Sequence, residues 1–154
     1  MLEFHDMPGH LIRRLQQISI SVFAEKTGAA GFDLTPVQFA ALAAIDRNAG
    51  IDQASLAGMI AYDRVTIGGV IDRLVQKGLV DRKTSARDRR ARELSLTAPG
   101  KKLLAAIQPV VRALQRDILA GLDTAERDTF LTLLKKTTEA GNGLSRAPLK
   151  VATQ

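Results

Sequence analysis

Eleven residues, Arg82 to Arg92, hold six basic side chains (Arg82, Lys83, Arg87, Arg89, Arg90 and Arg92) against the single acid Asp88. They supply +5 of a formal net charge of +6, so the basicity of the chain is concentrated in one place. Arginines clustered on a short segment suit a polyanion. A guanidinium pairs with phosphate through its fork of N–H donors, and gains from the negative potential of a narrow A·T-rich minor groove. Arg87-Asp88-Arg89-Arg90 reads as the tip of a hairpin, with Arg92 just behind it. A lone aspartate there would repel phosphate and so needs a structural task. Asp88 either pairs with Arg90 or Arg92, or caps backbone amides in the turn, and each would stiffen the tip. The competing reading of the whole segment is a solvated charged loop.

A second group lies upstream. Asp63, Arg64, Thr66 and Ile67, followed by Gly68 and Gly69, open what reads as the second helix of a helix-turn-helix. In that motif the N-terminal side chains of the second helix reach base edges. Two glycines inside a helix cost about 1 kcal/mol each relative to alanine, so something must come close: a phosphate backbone or a neighbouring helix. Arg73 and Lys77 follow one or two turns later. They suit phosphate contacts, which set affinity and orientation rather than sequence choice, or else belong to a solvated face. The DNA-binding candidates are thus Arg64, Thr66, Gly69, Arg73, Arg87, Arg89, Arg90 and Arg92, with Asp88 as brace. Catalytic chemistry has no comparable footing. The chain has no cysteine, which excludes disulfides, thiolate metal sites and thiol redox sensing. His5 and His10 lack a metal-ligand pattern, and neither a nucleophile motif nor a phosphate-cradling glycine loop occurs. The expectation is a protein without enzymatic activity, metal or cofactor.

The elements that must position these groups are mostly helical. Leu11, Ile12, Leu15, Ile18, Val22 and Phe23 recur at three- and four-residue steps, which predicts a helix from Gly9 to about Lys26, closed by Gly28 and Gly31. Thr35, Pro36 and Gln38 predict a capping box for a helix through Phe39, Leu42 and Ile45 to Arg47. Asp52 caps a short helix, a break at Ala61-Tyr62 follows, and Asp63 caps the next helix, which carries Val65, Val70, Ile71 and Leu74 and ends at Gly78. Leu79–Thr84 and Arg92–Thr97 read as antiparallel strands around a loop from Ser85 to Ala91. A long helix with Leu103, Leu104, Ile107, Val110, Val111, Leu114, Ile118 and Leu122 on its apolar side starts near Thr97 and carries Pro109, expected to kink it. Asp123 and Glu126 cap a last helix through Phe130, Leu133 and Leu134. The result is a mainly α protein with a small β wing. Residues 34–100 form a winged helix-turn-helix, residues 1–33 and 101–142 the dimerisation helices, and residues 143–154 a flexible tail. The terminal stripes cannot be buried on so small a core, and a second subunit is the natural place for them.

Asp88-Arg89-Arg90-Ala91-Arg92-Glu93-Leu94-Ser95-Leu96-Thr97-Ala98-Pro99-Gly100 resembles the wing signature of MarR-family regulators. Leu34-Thr35-Pro36-Val37-Gln38-Phe39, the run Ile71–Val80, and Leu122-Asp123-Thr124-Ala125-Glu126-Arg127 are similar to blocks of the same family, in the same order. The likeness covers about residues 9–142. It implies a triangular homodimer on a pseudo-palindromic double-stranded DNA operator, usually for repression. The wing arginine would fall on Arg90, its aspartate on Asp88, and the recognition positions around Arg64, Thr66 and Gly69. Many such regulators release DNA when a small aromatic anion binds between the dimer helices and the DNA-binding block. Here His10, Arg13, Arg14, Phe39 and Arg82 are the pocket candidates, since a cationic pair beside an apolar wall suits a carboxylate or phosphate-bearing ligand. Solvated surface, or pairing with intersubunit carboxylates, is the other reading of Arg13 and Arg14. Met7–Leu15 resembles the start of regulators of aromatic-acid catabolism, including those answering to hydroxycinnamoyl-CoA thioesters.

The alternative within DNA binding is a constitutive architectural protein with weak sequence preference and no ligand response. RNA is disfavoured, because a recognition helix suits the wide major groove of B-DNA and not the narrow one of an RNA duplex. No apolar run approaches the ~18 residues of a membrane span, and the N-terminus lacks an apolar signal core, so a cytoplasmic protein without membrane contact is expected.

Overall fold

Pro8 presets a helical φ for the first turn of α1 (Pro8–Ala29), which follows a single 3-10 turn over Glu3–Asp6. The computed structural model describes residues 2–151. α1 continues past the expected stop at Lys26, and the chain turns away at Gly31 in the left-handed region (φ +85°). α2 (Pro36–Arg47) opens on the expected capping box. The Gln38 amide donates to the Thr35 hydroxyl at 3.2 Å, and the Thr35 amide donates to the Gln38 side chain at 3.1 Å. α3 (Gln53–Met59) is capped by Asp52, whose carboxylate accepts from the Ser55 amide at 2.8 Å and the Ser55 hydroxyl at 2.6 Å.

The second helix of the motif, α4 (Ile67–Gln76), starts later than its sequence implies. Asp63 does not cap it. Its carboxylate accepts instead from the Val65 amide at 2.8 Å, holding a turn that precedes the helix. Helix phase explains the difference. Ile67, Val70, Ile71 and Leu74 form the buried row at three- and four-residue steps, and a helix that buries them cannot bury Val65. Val65, expected on the apolar stripe, is 90% exposed, whereas Ile67, expected towards base edges, is 1% exposed. α4 ends where predicted, at Gly78 in the left-handed region (φ +71°). The Leu79 amide donates to the Leu74 carbonyl at 3.0 Å, and the Leu79 side chain is buried beneath it.

β2 (Val80–Thr84) and β3 (Arg92–Leu96) pair antiparallel, in a register running from Val80 opposite Leu96 to Thr84 opposite Arg92. A third strand, β1 (Ile51–Asp52), pairs with the other edge of β3, giving the order β1-β3-β2. Two residues are too few to leave an alternating pattern in a sequence. α5 (Ala98–Ile118) starts on a Thr97 cap, with the Gly100 amide donating to the Thr97 hydroxyl at 3.1 Å. It contains Pro109 and ends before Leu122, which falls in the connection to α6 (Thr124–Ala140). A Cβ at position 100 would run into the Leu79 carbonyl, so glycine is what lets α5 seat directly on the start of the wing.

The core joins Leu42 and Ile45 of α2, Leu56 of α3, Ile71 and Leu74 of α4, Leu94 of β3, and Ile107 and Leu114 of α5, all essentially inaccessible. α1 adds Phe23 and Thr27 to the buried set, and α6 adds no residue at all. The architecture is the expected one: a winged helix-turn-helix between N- and C-terminal helices. The segment from 143 onward is not a free tail across its described part, because it returns to α3, where the Lys150 amide donates to the Gly58 carbonyl at 2.8 Å.

Candidate nucleic-acid interface

The wing tip owes its shape to two short side chains. Ser85, buried at the end of β2, accepts from the Arg87 amide at 3.1 Å and the Asp88 amide at 3.3 Å. Its own amide donates to the Ala91 carbonyl at 3.0 Å, closing the base of the loop. Asp88 accepts from the Arg90 amide at 2.9 Å, and the Ala91 amide donates to the Asp88 carbonyl at 3.0 Å. Of the tasks open to Asp88, backbone capping is the one realised, and among the described residues it forms no ion pair. Arg87, Arg89 and Arg90 are therefore presented on a fixed turn with their side chains in solvent. Arg92 is steered differently. Its Nη1 donates to the Thr84 hydroxyl at 2.6 Å across the strand pair, so its reach is set by β2. Ser85 went unnoticed at the sequence level, since a serine in a polar loop carries no signal until its burial is seen.

The wing does not stand alone. Asp88, Arg90, Ala91 and Arg92 of the wing line one cleft together with Arg64 and Ile67 near the start of α4 and Asp52, Gln53 and Ala54 at the start of α3. Two segments distant in sequence thus converge on one concave, cationic surface. Asp52 is the acid within it. Burial alone would raise its pKa, but hydrogen bonds from the Ser55 hydroxyl and amide outweigh that and hold the carboxyl below its ordinary value of 3.8.

Arg64, Thr66, Gly69 and Arg73 are all exposed. Gly68 and Gly69 separate: a Cβ at Gly68 would press on the Gln53 side chain at 3.3 Å, while one at Gly69 would meet nothing within 4 Å. Gly68 serves packing between α4 and α3, and Gly69 leaves the surface flat. Lys77 is withdrawn from the phosphate-contact group, because its ammonium donates to the Asp33 carbonyl and lies 3.3 Å from the Asp33 carboxylate. Val65, which replaces Ile67 at the exposed turn, is apolar and accessible, as a contact for a thymine methyl would be.

Within one chain the five ligand candidates do not form one site. His10, Arg13 and Arg14 line a depression near the start of α1 with His5, Asp6 and Gln17. Arg13 lies 3.4 Å from His10 Nδ1. Phe39 packs on Phe23, with ring centroids 6.4 Å apart, roughly 20 Å further along α1 at 1.5 Å per residue. Arg82 donates to the Asp72 carboxylate at 2.6 Å and thereby ties β2 to α4. Among the described residues no group of three or more His, Asp or Glu is placed to hold a metal ion, and no helix is long and apolar enough to cross a membrane.

A second concavity lies between α1, the end of α5 and α6. It is lined by Ile12, Leu15, Ile118, Leu119, Phe130, Leu131 and Leu134, with Arg127, whose Nε is buried there without a hydrogen-bond partner. Leu11, Ile12 and Ile18 on α1 and Leu131 and Leu133 on α6 are between 42 and 62% exposed.

The family model described as MarR family matches residues 32–91. A protein from Thauera aromatica, described as regulating transcription of the hcr operon, is 36% identical over 132 residues, covering 84% of this chain and 80% of the relative. The structure describing regulation of DNA binding of Bordetella bronchiseptica BpsR by 6-hydroxynicotinic acid superposes with a TM-score of 0.81 at 28% identity, over 90% of this chain and 97% of that one. The transcriptional repressor CouR, bound to a 23-mer DNA duplex, gives a TM-score of 0.78 at 28% identity, over 90% and 99% of the two chains.

Proposed function

The chain belongs to the MarR family of transcription regulators, and from that premise we propose that it is a cytoplasmic, homodimeric repressor whose operator grip is shared between two elements. Residues 34–100 are the DNA-binding unit, with 1–33 and 101–142 as dimerisation segments. Arg64, Thr66 and Gly69 contribute from the start of α4, and Arg73 from its exposed face towards phosphates. Arg87, Arg89, Arg90 and Arg92 contribute from the wing, with Asp88 holding the tip. The observation that carries this reading is the single cleft that Arg64 lines together with Arg90 and Arg92. A duplex seated there meets cations on both sides, one set at the major-groove helix and one at the wing. Nothing in this reading calls for catalysis, a cofactor or a metal.

The effector class is a small aromatic carboxylate, or its CoA thioester. The BpsR relative is described as responding to 6-hydroxynicotinic acid, and this chain offers cations for an acid of that kind. His10, Arg13 and Arg14 line a depression that neither Phe39 nor Arg82 joins, and in this reading the pocket is completed across the dimer by a second copy of α1. A carboxylate that drew Arg82 towards it would compete with Asp72 and loosen the tie between wing and α4.

The test is a band shift on the DNA upstream of the chain's own gene, repeated with aromatic acids and their CoA thioesters. Specific retardation with a dissociation constant in the range of about 10⁻⁸–10⁻¹¹ M, relieved by one of these compounds, is expected. Specific retardation that no compound changes would leave a constitutive DNA-binding protein, and retardation of every duplex alike would defeat the operator reading.

A further inference from the structure

The segment after α6 is a built element. Asn142 clasps Leu149 in both directions: its side-chain amide donates to the Leu149 carbonyl at 3.0 Å, and the Leu149 amide donates back to its oxygen at 2.8 Å. The closed loop then lies on α3. The Lys150 amide donates to the Gly58 carbonyl at 2.8 Å. The Lys150 stem covers Gly58 so closely that a Cβ there would sit 3.1 Å from Lys150 Cβ. Glycine inside a helix as short as α3 carries a cost of about 1 kcal/mol relative to alanine, and the docked segment occupies the space that cost leaves open.

Where this loop lands decides what it can do. Arg146 Nε lies 3.4 Å from Asp63 Oδ2, on the carboxylate that also accepts from the Val65 amide in the turn before α4. Arg64, Val65, Arg146, Pro148 and Lys150 line one concavity on that side of the turn. Arg64 also lines the cleft at the wing. Arg64 thus belongs to two concavities, one shared with Arg90 and Arg92 and one shared with Arg146 and Lys150. The Arg146 side chain is 90% exposed and is held only through Nε, leaving both terminal nitrogens as donors. The Lys150 stem is spread on Gly58 while the residue as a whole stays exposed.

We propose that the C-terminal loop 142–150 is a second DNA-contacting arm, through which Arg146 and Lys150 bind the phosphate backbone beside α3 and the turn that precedes α4. The arm rests on the reading of residues 34–100 as DNA-binding. It contributes affinity and orientation without sequence choice, because its donors reach phosphate and not base edges. It also fixes the end of the α6 segment to the recognition turn, so the arm is in place before DNA arrives.

The test compares the full chain with the double variant Arg146→Gln, Lys150→Gln by fluorescence anisotropy, on operator and scrambled duplexes over a range of salt. Losing two phosphate contacts per subunit, four per dimer, should flatten the log–log salt dependence by about 3.6, at about 0.9 per contact. Affinity for both duplexes should fall together, by about tenfold or more at low salt. An unchanged slope beside normal wild-type binding overturns the arm alone, whereas a wild-type chain that binds no DNA overturns the reading beneath it. A second measurement needs no variant. In the wild-type complex the Lys150 amine should be protected from acetylation, and labelling equal to that of the free protein would overturn the proposal.

Discussion

The winged block and the terminal helices are made from similar residues and reach opposite outcomes. In the block, the apolar rows of α2, α3, α4 and β3 close on one another and on α5, leaving Leu42, Ile45, Leu56, Ile71 and Leu94 without solvent contact. In α1 and α6 the rows are just as regular, yet α6 buries nothing and α1 buries only Phe23 and Thr27. A helix hydrophobic on one stripe has to cover that stripe with something. The block is its own solution, and the stripes of the terminal helices stay uncovered within one chain. Periodicity reports which face of a helix seeks burial, and it is silent on which chain provides the burial.

The widest separation between the two regions should come from charging the terminal groove. Ile12→Asp combined with Leu131→Asp places carboxylates on both walls of the concavity beside Phe130 and Leu134. The dimer should dissociate, as read by sedimentation. Operator affinity should then fall by about 10²- to 10⁴-fold, because each half-site is bound without the other as tether. The circular-dichroism signal should persist, since the block keeps its core. A variant that stays dimeric with full affinity would remove the groove from the assembly and put the two regions on the same footing.

A smaller effect on DNA, confined to the block, is expected from Arg90→Ala. Asp88 caps the Arg90 backbone amide and not its side chain, so the turn survives the substitution. Binding should weaken by about tenfold, with a salt dependence flatter by about 0.9 for each wing. The dimer should be unaffected, the reverse of the groove variant. Loss of dimer on this change would show that wing and terminal helices are not separable.

How much of this was legible in the sequence follows from the same contrast. Thr35 with Gln38, Asp123 with Glu126, the turn at Gly78 and the bounds of the Ser85–Ala91 loop are local devices, in which residues within six positions of each other satisfy one another, and a sequence displays them directly. The start of α4 was misplaced because Asp63 has the chemistry of a cap but spends it on the Val65 amide, and the buried row led by Ile67 then overrides the local signal. β1 escaped because its two residues take their order from β3, far along the chain. Lys77 and Arg82 each meet an aspartate, Asp33 or Asp72, that no short-range pattern connects to it. The docked C-terminal loop is the extreme case. Its composition is that of a tail, and the space over Gly58 that receives it shows only in the fold.

The smallest expected effect tests whether the block is self-sufficient down to a single cap. Asp52 holds the first turn of α3 through the Ser55 amide and hydroxyl, and those bonds keep its pKa below 3.8 in the folded protein. A carboxyl with a depressed folded-state pKa stabilises the fold at every pH above its unfolded value, and the contribution fades as pH falls through 3.8 towards the folded-state value. Asp52→Ala should therefore cost about 1 kcal/mol in urea melts near neutral pH, the usual worth of such a cap. Wild type and variant should converge as the medium is acidified below pH 3.8, where the wild-type side chain takes up its proton. Asp52→Asn keeps an acceptor for the Ser55 amide and should retain most of the stability at neutral pH while removing a negative charge from the DNA cleft. The cost should also be the same at every protein concentration, because the cap belongs to a unit that folds on itself. A cost that grows on dilution would mean that α3 depends on the dimer, and the division between the two regions would then have to be drawn elsewhere.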